Sequence, residues 1–336
     1  MGFLTMGNDM AEGMPNGVRR RLLAASVALA GVSKVRATPA LKPVPIIDTH
    51  IHLFDPNRPQ GAPYAGPPGS SANLEGAFPK RYEALVRSLG VVGAIAVEAS
   101  PWIEDNLWLL QTAGASDLIV GVVGNLRPEA TDFAELLARY AKNPLFSGIR
   151  YGNLWNYDLV SQSKSEKFLV ELRRLADADR VLEAANPRID LLQAILRVND
   201  AIPSLRIVID HLPHWDPAPG DVQPYQSVLN ELNQRPQVFA KLSAVIHQID
   251  GRISSDLQSY RARLDLLYET FGEDRVMFGS DWPNSDGSAT PEQAIALMRR
   301  YFSSKPRRAA EKYFWANSKS VYKWAQRAPD QSAIRY

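Results

Sequence analysis

Pro45-Ile46-Ile47-Asp48-Thr49-His50-Ile51-His52 is the stretch that decides the reading of this chain. Its apolar residues are β-branched and its polar residues recur at every second position, which is the signature of a strand. Period-two alternation predicts Asp48, His50 and His52 on one face and Ile47, Thr49 and Ile51 on the other. Two side chains two residues apart on a strand are set about 7 Å apart by the rise of the backbone. At that spacing the imidazoles of His50 and His52 reach one metal ion or one substrate oxygen. The whole chain has only five histidines, and two of them are here.

Outward from this strand, short apolar runs alternate with helix-like patterns. Strands are predicted at 92–100, 118–126, 146–152, 180–186, 205–212, 238–245 and 275–283, which with the first makes eight. Helices are predicted between them, at 133–141, 167–178, 189–200, 227–234 and 257–271, and a last one at 309–326. Eight βα units in about 250 residues predict an α/β fold of the (β/α)8 TIM-barrel type. A doubly wound sheet would need a glycine-rich phosphate turn after an early strand, and no G-x-G-x-x-G is present. The domain is expected over residues 44–325. The Pro-, Gly- and Ser-rich connection from Leu53 to Pro79 is long for a barrel loop and is expected to cover a substrate site.

The polar residues that need explaining gather at strand ends. Ile207-Val208-Ile209-Asp210-His211 is read with the two isoleucines filling the barrel and His211 above them. His214, in the following loop, is a weaker candidate. Phe278-Gly279-Ser280-Asp281-Trp282-Pro283 places Asp281 inward with Met277 and Gly279, the glycine leaving room for its neighbours. Glu98 is read as inward with Ala94 and Ala96. Arg150 follows Gly148, and Lys241 and Ser243 share a face. Charges at this depth are expensive unless paired or used. The plainest structural account is a Glu98–Lys241 ion pair. The functional account has Arg150 and Lys241, with Glu98 and Trp282, binding substrate, and Asp281 and His211 doing chemistry.

These residues carry a resemblance. Asp48-Thr49-His50-Ile51-His52, His211 and the Phe278–Pro283 segment resemble the amidohydrolase superfamily, over roughly residues 44–325. The nearer likeness is to the amidohydrolase-related branch that holds 2-pyrone-4,6-dicarboxylate lactonase and the L-fucono- and L-rhamnonolactonases. The resemblance implies a distorted barrel in which the last-strand aspartate, here Asp281, is the general base. It also exposes departures. Arg150 stands on the fourth strand where binuclear members have a bridging lysine or glutamate, so two metals are not expected. The fifth strand, Val181-Leu182-Glu183-Ala184-Ala185-Asn186, has no histidine. One divalent ion, zinc by its donor set, would then be held by His50, His52 and Asp281, with His211 or Glu98 as further donors; members of this branch also work with no metal. The resemblance therefore implies hydrolysis of a small lactone of sugar-acid or pyrone-dicarboxylate type. A metal-dependent decarboxylase and a non-catalytic barrel binding a sugar acid are the alternatives.

Composition narrows the partners. With 45 % hydrophobic and 22 % charged residues the chain is of ordinary globular type. No cysteine is present, which excludes disulfides and thiolate metal sites. Residues 1–43 carry six basic against two acidic side chains, so much of the net +2 belongs to the N-terminus and the body is nearly neutral. Nucleic acid is not expected as a partner. A small-molecule substrate is, with an oligomer open. Arg19-Arg20-Arg21-Leu22-Leu23 before the apolar Ala24–Val32, with small residues at Ala37 and Ala40, reads as a twin-arginine type signal over residues 1–40. It predicts a periplasmic or exported protein, or a cytoplasmic one if the segment is not a signal. The apolar run is too short to span a bilayer.

Overall fold

The computed structural model describes residues 43–65 and 75–332. The segment read as a signal lies outside the described residues, as does the middle of the long Leu53–Pro79 connection. The barrel strands are β1 (Ile46–His52), β2 (Val91–Val97), β3 (Ile119–Gly124), β4 (Phe146–Arg150), β5 (Val181–Ala184), β6 (Ile207–Ile209) and β7 (Val238–Lys241). A short antiparallel ribbon follows, β8 (Gln248–Ile249) and β9 (Arg252–Ile253), before the last barrel strand, β10 (Val276–Met277). The eight barrel strands form one parallel sheet in the order β1 to β7 and then β10. Its ends meet where Ile51 bridges Trp282, with His52 N donating to Trp282 O at 2.8 Å and Asp281 N to His50 O at 2.8 Å. The predicted (β/α)8 TIM barrel is the observed fold.

The connecting helices are α1 (Pro79–Val86), α2 (Asp105–Gly114), α3 (Phe133–Tyr140), α4 (Leu159–Gln162), α5 (Glu166–Asp177), α6 (Ile189–Ala201), α7 (Val222–Asn233) and α8 (Gln258–Phe271). Helix α9 (Pro291–Phe302) follows β10, and α10 (Arg307–Glu311) and α11 (Asn317–Tyr322) flank a π-helical turn at Lys312–Ala316. The last helix was expected to reach 326; it stops at Tyr322 because Lys323 turns left-handed, at φ 52°. None of the described helices is long and apolar enough to cross a membrane.

Two apolar layers result. The outer one packs strands against helices and includes Ile46, Ile51, Ala94, Ala96, Ile207 and Ile209. The inner one fills the barrel with Ile47, Ile95, Val97, Val120, Val181, Val208, Phe239 and Met277. This reverses two expectations. In β6 the isoleucines lie beneath helices and Val208 faces inward. In β2 it is Ile95 and Val97, not the alanines, that face inward. In β1 the register slips between Asp48 and Ile51, so a bulge interrupts the alternation. Ile47 faces in, His50 and His52 face in, and Asp48 leaves their face. Its carboxylate accepts from Tyr82 Oη of α1 at 2.5 Å and from Ser280 N at 2.9 Å.

The chain's end closes the barrel from below, with Trp315, Val321, Tyr322 and Trp324 joining the inner layer. Arg327 ties this end to the region after α2. Its Nη1 donates to Ala113 O at 2.8 Å, Ser116 O at 2.7 Å and Ile119 O at 2.7 Å, and its Nη2 donates to Gly114 O at 2.9 Å. Arg327→Ala leaves these carbonyls to water or to nothing, and hydrogen bonds to a charged donor are worth about 1.5–3 kcal/mol. We expect a loss of about 2 kcal/mol, read as a melting temperature lower by a few degrees with kcat unchanged.

Candidate active site

The four strands β5, β6, β7 and β10 all end early, and a left-handed residue turns the chain after each. Asn186 has φ 56°, His211 51°, Ala244 48° and Asp281 62°. L-residues seldom hold this conformation, and it concentrates at functional sites. All four line one cleft of about 350 Å³, together with Arg188, His214 and Trp215. The turn at His211 explains why this ring reaches the barrel mouth although β6 continues inward through Val208 to Asp210.

Four predicted residues meet where His211 and Asp281 line this cleft, with His50 and His52 buried behind them. His50 Nε2 lies 3.2 Å from His52 Nε2. Asp281 Oδ1 is 3.3 Å from His52 Nε2, 3.6 Å from His211 Nε2 and 3.7 Å from His50 Nε2. Gly279 permits this approach, since a Cβ there would fall 2.8 Å from His50 Cβ. The His52 ring is set by two backbone carbonyls, Val97 O at 3.1 Å and Glu98 O at 3.0 Å from Nδ1. Carbonyls only accept, so Nδ1 carries the proton and Nε2 presents its lone pair to Asp281. Asp281 Oδ1 is buried and has no hydrogen-bond partner among the described residues. An acceptor facing an acceptor calls for a proton or a cation between them. His50, His52 and Asp281 form a group whose donor atoms all lie within 4.8 Å of one another, and two imidazoles with a carboxylate suit a divalent ion such as zinc. The residues therefore fit a metal.

Electrostatics agree. Burial pushes the Asp281 carboxyl up, but His211, His52 and His50 more than offset it and hold the group below the usual carboxylate range. Asp281 is thus ionised at neutral pH. Burial lowers both His50, helped by the Lys241 charge, and His211, so both rings favour the neutral form.

The remaining predicted residues divide. Arg150 is 3 % exposed and is committed to Glu98, with Nε donating to Glu98 Oε1 at 2.6 Å and Nη2 to Tyr64 Oη at 2.8 Å. Trp155 Nε1 also donates to Glu98, to Oε2 at 2.9 Å. Glu98 therefore pairs with Arg150 and not with Lys241. Lys241 is fully buried and donates to Glu183 Oε1 at 2.7 Å, beside Asp210 Oδ1 at 3.1 Å. Burial removes it from substrate contact. Ser243 Oγ meets His211 Nδ1 at 2.8 Å. Trp282 is also fully buried, its ring 5.1 Å from that of Tyr82 behind β1, and it is not brought to the cleft.

Sequence reading missed Glu183, Asp210, Tyr64 and Trp155. Glu183 carried a signal, a lone charge inside an apolar strand. Burial and the Asp210 charge raise it to about 7, against the pull of Lys241. Asp210 carried none, because Ile207, Val208 and Ile209 are equally apolar and leave the strand's parity open. Tyr64 comes from the long connection expected to cover the site, and its ring lies 4.6 Å from His52 and 5.5 Å from Trp155.

Comparison with known proteins follows the same outline. The amidohydrolase family model matches residues 47–324. The chain belongs to the amidohydrolase family. This amidohydrolase is 29 % identical over 246 residues to a Burkholderia ambifaria protein named L-fucono-1,5-lactonase, covering 71 % of the present chain and 80 % of the relative. A Burkholderia multivorans protein of the same name is 26 % identical over 282 residues, covering 81 % and 93 %. Among solved structures, a zinc-bound amidohydrolase from Burkholderia multivorans shares the fold with a TM-score of 0.72 at 23 % identity, over 84 % of this chain and all of that one. A Pseudomonas putida structure described as a 2-pyrone-4,6-dicarboxylic acid hydrolase has a TM-score of 0.67 at 20 % identity, over 84 % and 98 %.

Proposed function

We propose that this amidohydrolase opens a small, uncharged lactone by water attack, with Asp281 as general base. The observation that carries the reading is the ionised Asp281, 14 % exposed at the cleft floor, with Oδ1 unpartnered among three imidazoles. Asp281 takes a proton from water as the water oxygen bonds to the ring carbonyl carbon. The carbonyl electron pair moves to its oxygen, toward the His211 side of the cleft. Collapse breaks the bond to the ring oxygen, and protonated Asp281 returns the proton to that leaving oxygen, yielding the open hydroxy acid. His50, His52 and Asp281 would hold a divalent ion, with His211 Nε2 near enough to Asp281 to join them. When bound, such an ion supplies Lewis-acid polarisation of the carbonyl.

Charge pairing supports an uncharged substrate over a dicarboxylate. Arg150 is spent on Glu98, Lys241 on Glu183, and Arg188 on Asp190 at 2.6 Å. A carboxylated lactone, or the substrate of a decarboxylase, would have to draw a buried cation from its partner or share Arg188, whose pair with Asp190 is exposed and weak. The names of the two curated relatives support the same class. The arginine-rich segment before the barrel supports action outside the cytoplasm. In a pH-indicator assay we expect L-fucono-1,5-lactone or a related neutral sugar lactone to be hydrolysed with kcat/KM about 100-fold above that of a pyrone dicarboxylate. That ratio corresponds to about 2.7 kcal/mol, the scale of a buried polar group left unpaired. Equal rates, or preference for the dicarboxylate, would overturn the proposed substrate class.

A further inference from the structure

Beneath the cleft lies a second group with metal-ligating geometry, His50, Glu183 and Asp210. All three are fully buried, with their donor atoms within 4.8 Å of one another. Its centre is filled by a side chain. Lys241 Nζ stands 2.7 Å from Glu183 Oε1, 3.0 Å from His50 Nδ1 and 3.1 Å from Asp210 Oδ1. An ammonium has three N–H donors and accepts nothing; here Glu183 Oε1 accepts one of them, Asp210 Oδ1 lies at ion-pair distance, and His50 Nδ1 stands beside both. Neither carboxylate oxygen of Asp210 makes a hydrogen bond among the described residues, and Glu183 Oε2 is likewise unsatisfied. Two buried carboxylates therefore rest mainly on one lysine charge, with Arg150 Nη1 4.0 Å from Asp210 as the next cation.

We propose that Lys241 is an internal counter-cation, occupying the place of a divalent ion between His50, Glu183 and Asp210, and that through this contact it positions His50 for the cleft. Two consequences follow. Of the two groups with metal-ligating geometry among the described residues, only one is left open to an ion, because the other is taken by a residue of the chain itself. His50 also links the two groups: its Nδ1 lies 3.0 Å from Lys241 Nζ and 3.4 Å from Asp210 Oδ1, which can accept its proton, while its Nε2 faces His52 and Asp281. Lys241 is thus a positioning residue and touches no substrate. Removing it leaves Glu183 and Asp210 buried with only Arg150 Nη1, 4.0 Å from Asp210, as a nearby charge, a costly state that is relieved by taking up a proton or a cation. The imidazole beside them favours the cation.

The proposal rests on the same His50 that serves the lactonase reading, so its test reads metal and not turnover. Lys241→Ala and the parent are purified, loaded with excess Zn2+ and passed through gel filtration. Zinc per chain is then measured by elemental analysis. We expect the variant to retain one equivalent more than the parent. Adding Glu183→Gln and Asp210→Asn to the variant should abolish the extra equivalent. A folded Lys241→Ala protein with the parent's stoichiometry would mean that the carboxylates protonate instead, and the proposal fails. Should Lys241→Ala not fold alone, it is refolded with and without Zn2+. Zinc-dependent recovery of the native circular dichroism supports the proposal, and recovery indifferent to zinc overturns it. Failure to hydrolyse any lactone would leave both outcomes readable.

Discussion

Asp281→Asn should lower kcat on a hydrolysed lactone by about 10²–10⁴-fold, the scale of losing a general base. The substitution preserves shape and a hydrogen-bonding oxygen, so KM should change little. Direction with pH is fixed by the environment. The carboxyl is held below its ordinary range by His211, His52 and His50, so the base is ionised across neutral and mildly acidic pH. Activity should fall only as acidity reaches that depressed value, and the limb should be missing in whatever activity Asp281→Asn retains. Near-full turnover by Asp281→Asn would remove the base assignment, and His211 would be tested next. Its ring is held by Ser243 and lies 3.6 Å from the same oxygen.

His52→Asn should cost as much for a different reason. The imidazole is oriented by Val97 O and Glu98 O so that its Nε2 lone pair faces Asp281. Asparagine is too short to keep both ends of that arrangement. Metal content after zinc loading should drop well below the parent's, and kcat/KM should fall by about 10²-fold or more, in step with losing a primary ligand and the electrophile it supports. Unchanged zinc content with lost activity would assign His52 to direct polarisation of the carbonyl. Unchanged activity and content would remove it from the site.

How far the site was legible in the sequence depended on backbone continuity. The grouping of His50, His52 and Asp281 was readable because each sits in a short motif where residue type, strand signal and position coincide. His211 was placed at the mouth for the wrong reason. Alternation through Ile207 and Ile209 carries it there on paper, whereas β6 ends at Ile209 and the left-handed turn brings the ring in. Asp48 was misread because a bulge is a local change of register with no signature in residue type. Glu98 and Lys241 were correctly read as buried charges and wrongly paired. Partner choice depends on which strand ends lie at the same height, and that follows from sheet register.

What the amino-acid sequence determined by itself was everything set by local periodicity and composition: eight strands with helices between them, the first-strand histidine pair, the last-strand aspartate, and the near-neutral charge of the body. Those properties depend on residues within a few positions of one another, where side-chain period and turn chemistry act directly. Only the tertiary structure decided that Glu98 belongs to Arg150, that Lys241 belongs to Glu183, Asp210 and His50, and that Trp282 is core. Each of these contacts joins residues tens to hundreds of positions apart, and burial makes each an exclusive choice. An ion taken out of water must find its partner at contact distance, and the closed sheet offers each charge only the neighbours its register brings alongside.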